Sequence, residues 1–145
     1  MPLLVSAGLV WHREHLLVQR RPPTARHGAG RLELPGGKLE PGEGPRDALR
    51  RELVEEWGDA AGAWSVGGAA EVLFHTYPPP GPTVLLMVFH VDADSLADWR
   101  GEIRPEPGAE VLRFRPADLP VHEFLQADQT FIARLRSGEL ARPST

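Results

Sequence analysis

Aliphatic and β-branched residues fill positions 3–11 and return at His15–Arg20, with a polar break at residues 12–14, and this pattern predicts a β-hairpin. Pro22 and Pro23 end it. Residues 24–31 have the composition of a loop, after which Leu32, Glu33 and Leu34 predict a short strand running into a tight turn at Pro35, Gly36 and Gly37. The period then changes. Leu49, Leu53 and Trp57 recur every four residues, the stripe of a helix packed on a sheet. Gly44 and Pro45 suit its start, Asp47 its first turn and Gly58 its stop, which sets the helix at Pro45–Trp57.

Two more strands are predicted at residues 69–77 and 83–91, joined by the proline-rich turn 78–82. The second is almost continuously apolar, the pattern of a strand buried on both faces. Residues 100–108 read as a loop and 111–115 as a further strand. Residues 123–136 carry Phe124, Leu125, Phe131, Ile132 and Leu135 at helical spacing and predict a second helix. Strands interleaved with helices give a mixed α/β (α+β) class.

No repeat or long linker interrupts residues 1–145, a length usual for one domain with one core. The absence of cysteine excludes disulfides, thiolate nucleophiles and cysteine-ligated zinc, and fits a reducing cytoplasm. The apolar N-terminus has no basic flank and is broken by His12, Arg13 and Glu14, so it predicts a strand and not a signal peptide. No apolar run suffices to cross a bilayer. A net charge of -4 argues against general nucleic-acid binding, which draws its affinity from surplus Lys and Arg. The expected partner is a small molecule, and the protein a monomer or homodimer.

The helix carries the chemistry. At helical pitch Glu52, Glu55 and Glu56 fall within about 100° of arc, so three carboxylates converge on one patch. Their mutual repulsion destabilises a bare helix, and a hard divalent cation with a preference for oxygen would reverse that, which predicts Mg²⁺, with Mn²⁺ as a substitute. Arg20, Arg21, Arg26, Arg31 and Lys38 precede the helix and could bind phosphate oxygens. Lys38 is the only lysine; every other cationic side chain is Arg. His12 and His15, with no third ligand beside them, read as surface polar residues and not as a metal pair.

Gly37, Glu43, Arg51, Glu52, Leu53, Glu55, Glu56 and Gly58 stand at the spacing GX5EX7REUXEEXGU, where U is bulky and aliphatic, and so the chain resembles the Nudix superfamily. It departs at the last position, where Asp59 replaces the aliphatic residue, a change that bears on packing more than on chemistry. The approach from Leu32 through Glu40, the Tyr77–Pro78 pair, and Ala127 with Asp128 are similar to the MutT-like branch of nucleoside triphosphate pyrophosphohydrolases. The resemblance implies an α/β/α sandwich with a mixed sheet between helices.

It also implies roles. Glu55 and Glu56 would bind Mg²⁺, Glu52 would bind metal or orient the attacking water, and the Gly36 carbonyl would join the coordination shell. Arg51, one turn before Glu55, would hold that carboxylate. The general base could be Glu52, or Glu106 or Glu110 outside the box, with Glu106 preferred. Arg20, Arg21 and Lys38 would meet the substrate, Asp128 would read the edge of the base, and Leu34 with Tyr77 or Phe74 would line its slot. The expected activity is Mg²⁺-dependent hydrolysis of a nucleoside triphosphate, ordinary or oxidised, to the monophosphate and pyrophosphate. The alternatives are the same chemistry on ADP-ribose, a dinucleoside polyphosphate or another nucleoside diphosphate derivative, and a silent nucleotide-binding module.

Overall fold

The structure, a computed structural model, describes residues 1–144. Strand β1 (Leu3–His12) runs one residue further than the hydrophobic pattern, because His12 pairs with His15 of β2 (His15–Arg20). The turn is therefore only Arg13 and Glu14, with Arg13 at a φ of 60°. His12 is a correction to the sequence reading: it is buried at 3% exposure, and its Nε2 lies 2.9 Å from the Leu96 carbonyl.

β3 (Leu32–Glu33) pairs antiparallel with β2. The predicted glycine turn is instead a strand, β4 (Gly36–Lys38), paired antiparallel with Val5, Ser6 and Ala7 of β1. Glycine offers no β-propensity to read, so tertiary pairing alone makes this strand. Helix α1 (Pro45–Trp57) has the predicted bounds, and Gly58, at a φ of 94°, closes it with an N–H to the Val54 carbonyl. The next turn, Asp59–Ala63, is a 3₁₀ helix with Asp59 exposed; Ala61 and Trp64 fill the space beneath the helix end.

β5 (Ser65–Thr76) starts earlier than predicted, since register shifts between Val66 and Glu71 obscure the alternation around Gly67 and Gly68. β6 (Thr83–Asp92) is fully buried only at Val88, Phe89 and Val91 and half-buried over its first half, not covered on both faces throughout. The predicted loop at 100–108 includes most of a one-turn helix, α2 (Trp99–Glu102), and β7 (Glu110–Phe114) pairs with β2. Three 3₁₀ turns precede α3 (Gln129–Ser137), so the second helix is shorter than its apolar spacing predicts. Phe124 lies outside it, bridged to Leu32.

The sheet runs β3-β2-β1-β6-β5, with β4 on β1 and β7 on β2, and it is mixed because β1 and β6 are parallel. Strand alternation divides the core in two. Leu9, Trp11, Leu16 and Val18 pack with Phe131, Ile132 and Leu135 of α3. Val10, Leu17, Phe89 and Val91 pack with Leu49, Leu53 and Trp57 of α1. The sheet thus lies between helices. Burying each of those α1 side chains stabilises by about 2 kcal/mol. Gly8 sits where α1 crosses β1; a Cβ there would meet Leu49 at 3.5 Å and Val91 at 3.2 Å. Among the described residues, no helix is long and apolar enough to cross a membrane.

Candidate active site

β4 is wedged between β1 and the outer face of α1, and its first two positions leave little space for a side chain. A Cβ on Gly36, whose φ is 149°, would lie 2.0 Å from the Ser6 carbonyl oxygen. One on Gly37 would lie 2.4 Å from the carboxyl carbon of Glu52. The missing Gly36 side chain lets β4 close on β1, and the missing Gly37 side chain makes room for the Glu52 carboxylate. Glu52 lies over Gly37, and the Gly36 N–H donates to Glu56 Oε2 at 3.1 Å.

Arg51 organises the other side of the patch. Its Nε and Nη2 donate to the two oxygens of Glu43 at 2.8 and 2.9 Å, a two-pronged pairing. Nη1 reaches Glu52 at 2.9 Å and Glu55 at 3.3 Å, and Nη2 also donates to the Lys38 carbonyl at 3.0 Å. The pairing with Arg51, helped by the Glu40 N–H, pulls Glu43 down to about 2. Glu55 stays on the outside, with 55% of its side chain exposed.

Among the described residues Glu56 has no such partner. Burial pushes its carboxyl up to about 8; the charges of Glu33, Glu52 and Glu106 add to the rise, and only the Gly36 N–H opposes it. The charge of Glu106 therefore reaches the site, whereas Glu110 is turned to Arg20, 3.9 Å away. Among the described residues no three acidic or histidine side chains are already gathered around one point. Arg51 holds Glu52 and Glu55 to one side, and Glu56 faces Gly36. The donor set nevertheless fits a hard cation: carboxylate oxygens only, crowded like charges, and a Glu52 carboxylate seated in the gap left by the absent Gly37 side chain.

A cleft of about 940 Å³ is lined by Arg21, His27, His75, Tyr77, Leu125 and Gln126 among others, and none of the carboxylates of the patch lines it. Its size suits a ligand of nucleotide dimensions. Arg21 and Tyr77 of the expected substrate residues line it. Asp128, in the adjoining 3₁₀ turn, is raised to about 6 by burial and then by the charge of Glu33. Leu34 is buried in the α3-side core, and Phe74 is 69% exposed and does not line the cleft. The structure does not bring Arg20 there: its guanidinium donates to the Gly30 carbonyl and to Glu123, both at 2.9 Å. Lys38 is exposed and borders a separate hollow of about 420 Å³ with Pro2, Leu3, Glu40 and Glu43. Sequence reasoning missed Glu33, whose importance shows only in its partners Gln19, on β2, and Arg21, just past the end of β2.

The family model of the NUDIX domain matches residues 2–135. The chain is 28% identical over 134 residues to the 8-oxo-dGTP diphosphatase of Escherichia coli (strain K12), covering 92% of this chain and 96% of that protein. It is 29% identical over 140 residues to the CTP pyrophosphohydrolase of the same organism, covering 97% and 96%. Among solved structures, that of the E. coli ORF135 protein matches with a TM-score of 0.71 at 25% identity, over 99% of this chain and 94% of that one.

Proposed function

The chain belongs to the Nudix family and is a Nudix hydrolase, and from that premise we propose that it converts a nucleoside triphosphate, ordinary or oxidised, to the monophosphate and pyrophosphate with the help of Mg²⁺. The observation that carries this reading is the pair Glu52 and Glu56, brought together on the Gly36–Gly37 backbone with no cationic side chain among the described residues paired to Glu56. Water adds to one phosphorus and the bridging oxygen leaves with the other, a step that needs charge neutralisation and positioning. Mg²⁺, or Mn²⁺ in its place, supplies the neutralisation and acidifies the water when bound.

Glu52, Glu55 and Glu56, with the Gly36 carbonyl, are the groups that would hold the cation. Arg51 keeps Glu52 and Glu55 in place and balances Glu43. Glu106, whose charge is felt at Glu56, accepts the proton of the attacking water. The cleft takes the nucleoside, with Tyr77 against its ring, Arg21 donating to its oxygens and Asp128 at its edge. Relatives named for 8-oxo-dGTP and CTP support a triphosphate over a nucleotide sugar.

The test is a panel of nucleoside triphosphates, 8-oxo-dGTP among them, with ADP-ribose and a dinucleoside polyphosphate, run with Mg²⁺ and with chelator. Metal-dependent release of pyrophosphate from a triphosphate is the expected result. Turnover confined to ADP-ribose or the dinucleotide would overturn the substrate class, and no turnover of any phosphoanhydride would leave a binding module.

A further inference from the structure

Trp57 is the last residue of α1, directly after Glu56, and its indole N–H donates to Gln19 Oε1 at 2.8 Å inside the core. Gln19, 7% exposed, turns its amide to Glu33 Oε2 at 3.2 Å. The other oxygen of Glu33 accepts from Arg21 Nη1 at 3.0 Å, and Arg21 Nε donates to the His27 carbonyl at 2.8 Å. The line begins one residue after Glu56 and ends at a guanidinium on the wall of the cleft.

The donors left on Arg21 are consequential. Nε and Nη1 are engaged, and among the described residues Nη2 has no hydrogen-bond partner. A guanidinium only donates, so what it offers the cleft is a fixed N–H fork for an oxygen acceptor. Fixing it requires something behind. Glu33 provides both the countercharge and the geometry, since one of its oxygens is committed to Arg21 and the other to the buried Gln19–Trp57 pair.

We propose that Glu33 is a positioning residue of the substrate cleft, which acts through Arg21 by aiming its free N–H groups at an oxygen of the nucleotide and ties that aim to the end of the carboxylate helix. The proposal rests on the reading of the cleft as the nucleotide site. The acceptor is an oxygen of the base and sugar or of the phosphates.

The experiment is calorimetric titration, in chelator, of guanosine, GMP and inorganic pyrophosphate into the wild type, R21A, E33Q, E33A and R21A/E33Q. R21A should weaken GMP binding about tenfold, the effect of one lost charged hydrogen bond. E33A should follow it closely and E33Q should lose less, because a glutamine keeps one acceptor for Arg21 while setting its amide against that of Gln19. The double variant should bind no worse than R21A alone, since Glu33 acts through Arg21. A loss seen with guanosine assigns the oxygen to the nucleoside; a loss seen with pyrophosphate assigns it to the phosphates. If E33A does not fold, as read by its melting curve, E33Q and the double variant carry the comparison. Wild-type affinity in E33Q and E33A, losses that add in full, or a wild type that binds none of the three probes would overturn the proposal. The first two would leave triphosphate hydrolysis standing, whereas a wild type that binds GMP but hydrolyses nothing would remove the activity alone.

Discussion

At one side of the patch Glu43 lies in the two-pronged grip of Arg51 and is held down at about 2, whereas at the other Glu56 is buried among Glu33, Glu52 and Glu106 and is lifted to about 8. Both are glutamates of one motif, so the contrast lies in what surrounds them. On the Arg51 side the protein supplies its own cation; on the Gly36 side it supplies one N–H and withholds the cation. The first arrangement is complete as folded. The second would become favourable with a divalent ion in the proposed site, and this division separates the residues proposed to brace the site from those proposed to use it.

The strongest way to break the comparison is to neutralise the unpartnered side. Glu56→Gln should lower kcat on the order of 10³-fold, the rate equivalent of losing several kcal/mol of transition-state stabilisation. Steady-state kinetics at saturating Mg²⁺ reads it, and a loss below about tenfold would mean that Glu56 is not at the centre of the chemistry. Removing the brace should cost less in rate and show more in stability. Arg51→Ala leaves Glu43, Glu52 and Glu55 without their common partner, so the melting temperature should fall clearly while kcat drops roughly 10–100-fold, as for a group that orients ligands. A variant that melts like the wild type would show the grip on Glu43 to be dispensable. Least affected should be Asp59→Leu, which restores the aliphatic residue of the box pattern. Asp59 is exposed and Ala61 and Trp64 already fill the space below, so stability should shift by no more than about 0.5 kcal/mol and activity not at all.

The braced side was more legible in the sequence than the unpartnered side. The bounds of α1 follow from Gly44, Pro45 and Gly58, residues whose backbone preferences act locally, and the pairing of Arg51 with Glu55 follows from helical spacing. β4 was invisible because two of its three residues are glycines, whose place is fixed by β1 and by Glu52 rather than by their own preferences. The end of the chain misled in the opposite sense. Phe124 and Leu125 repeat at helical spacing, yet the Leu125 N–H is bonded to the Leu32 carbonyl and the backbone there turns in short 3₁₀ steps. Arg20 and Arg21 are neighbours with equal claims in sequence. Strand alternation sends them to different partners, Arg20 to Glu123 and Arg21 to Glu33 at the cleft.

The two shifts also give stability opposite dependences on pH. Glu43, depressed from 4.5 to about 2, contributes stability that is present above 4.5 and lost as pH falls toward 2. Glu56, raised from 4.5 to about 8, binds a proton more tightly folded than unfolded, so its contribution is lost as pH rises from 4.5 through 8 and destabilises by up to a few kcal/mol. Asp128, raised from 3.8 to about 6, acts in the same direction over a lower range.

The decisive measurement is the melting temperature of the wild type between pH 5 and pH 8, in chelator and in Mg²⁺. Without metal it should fall as pH rises. Mg²⁺ should restore most of the loss at pH 8 and do little at pH 5, where Glu56 holds its proton, and Glu56→Gln should keep only the part of the fall that Asp128 causes below about pH 6 and lack the full restoration. Equal Mg²⁺ stabilisation at both pH values, or a Glu56→Gln protein that Mg²⁺ stabilises as much as the wild type at pH 8, would contradict a cation site built around that carboxylate.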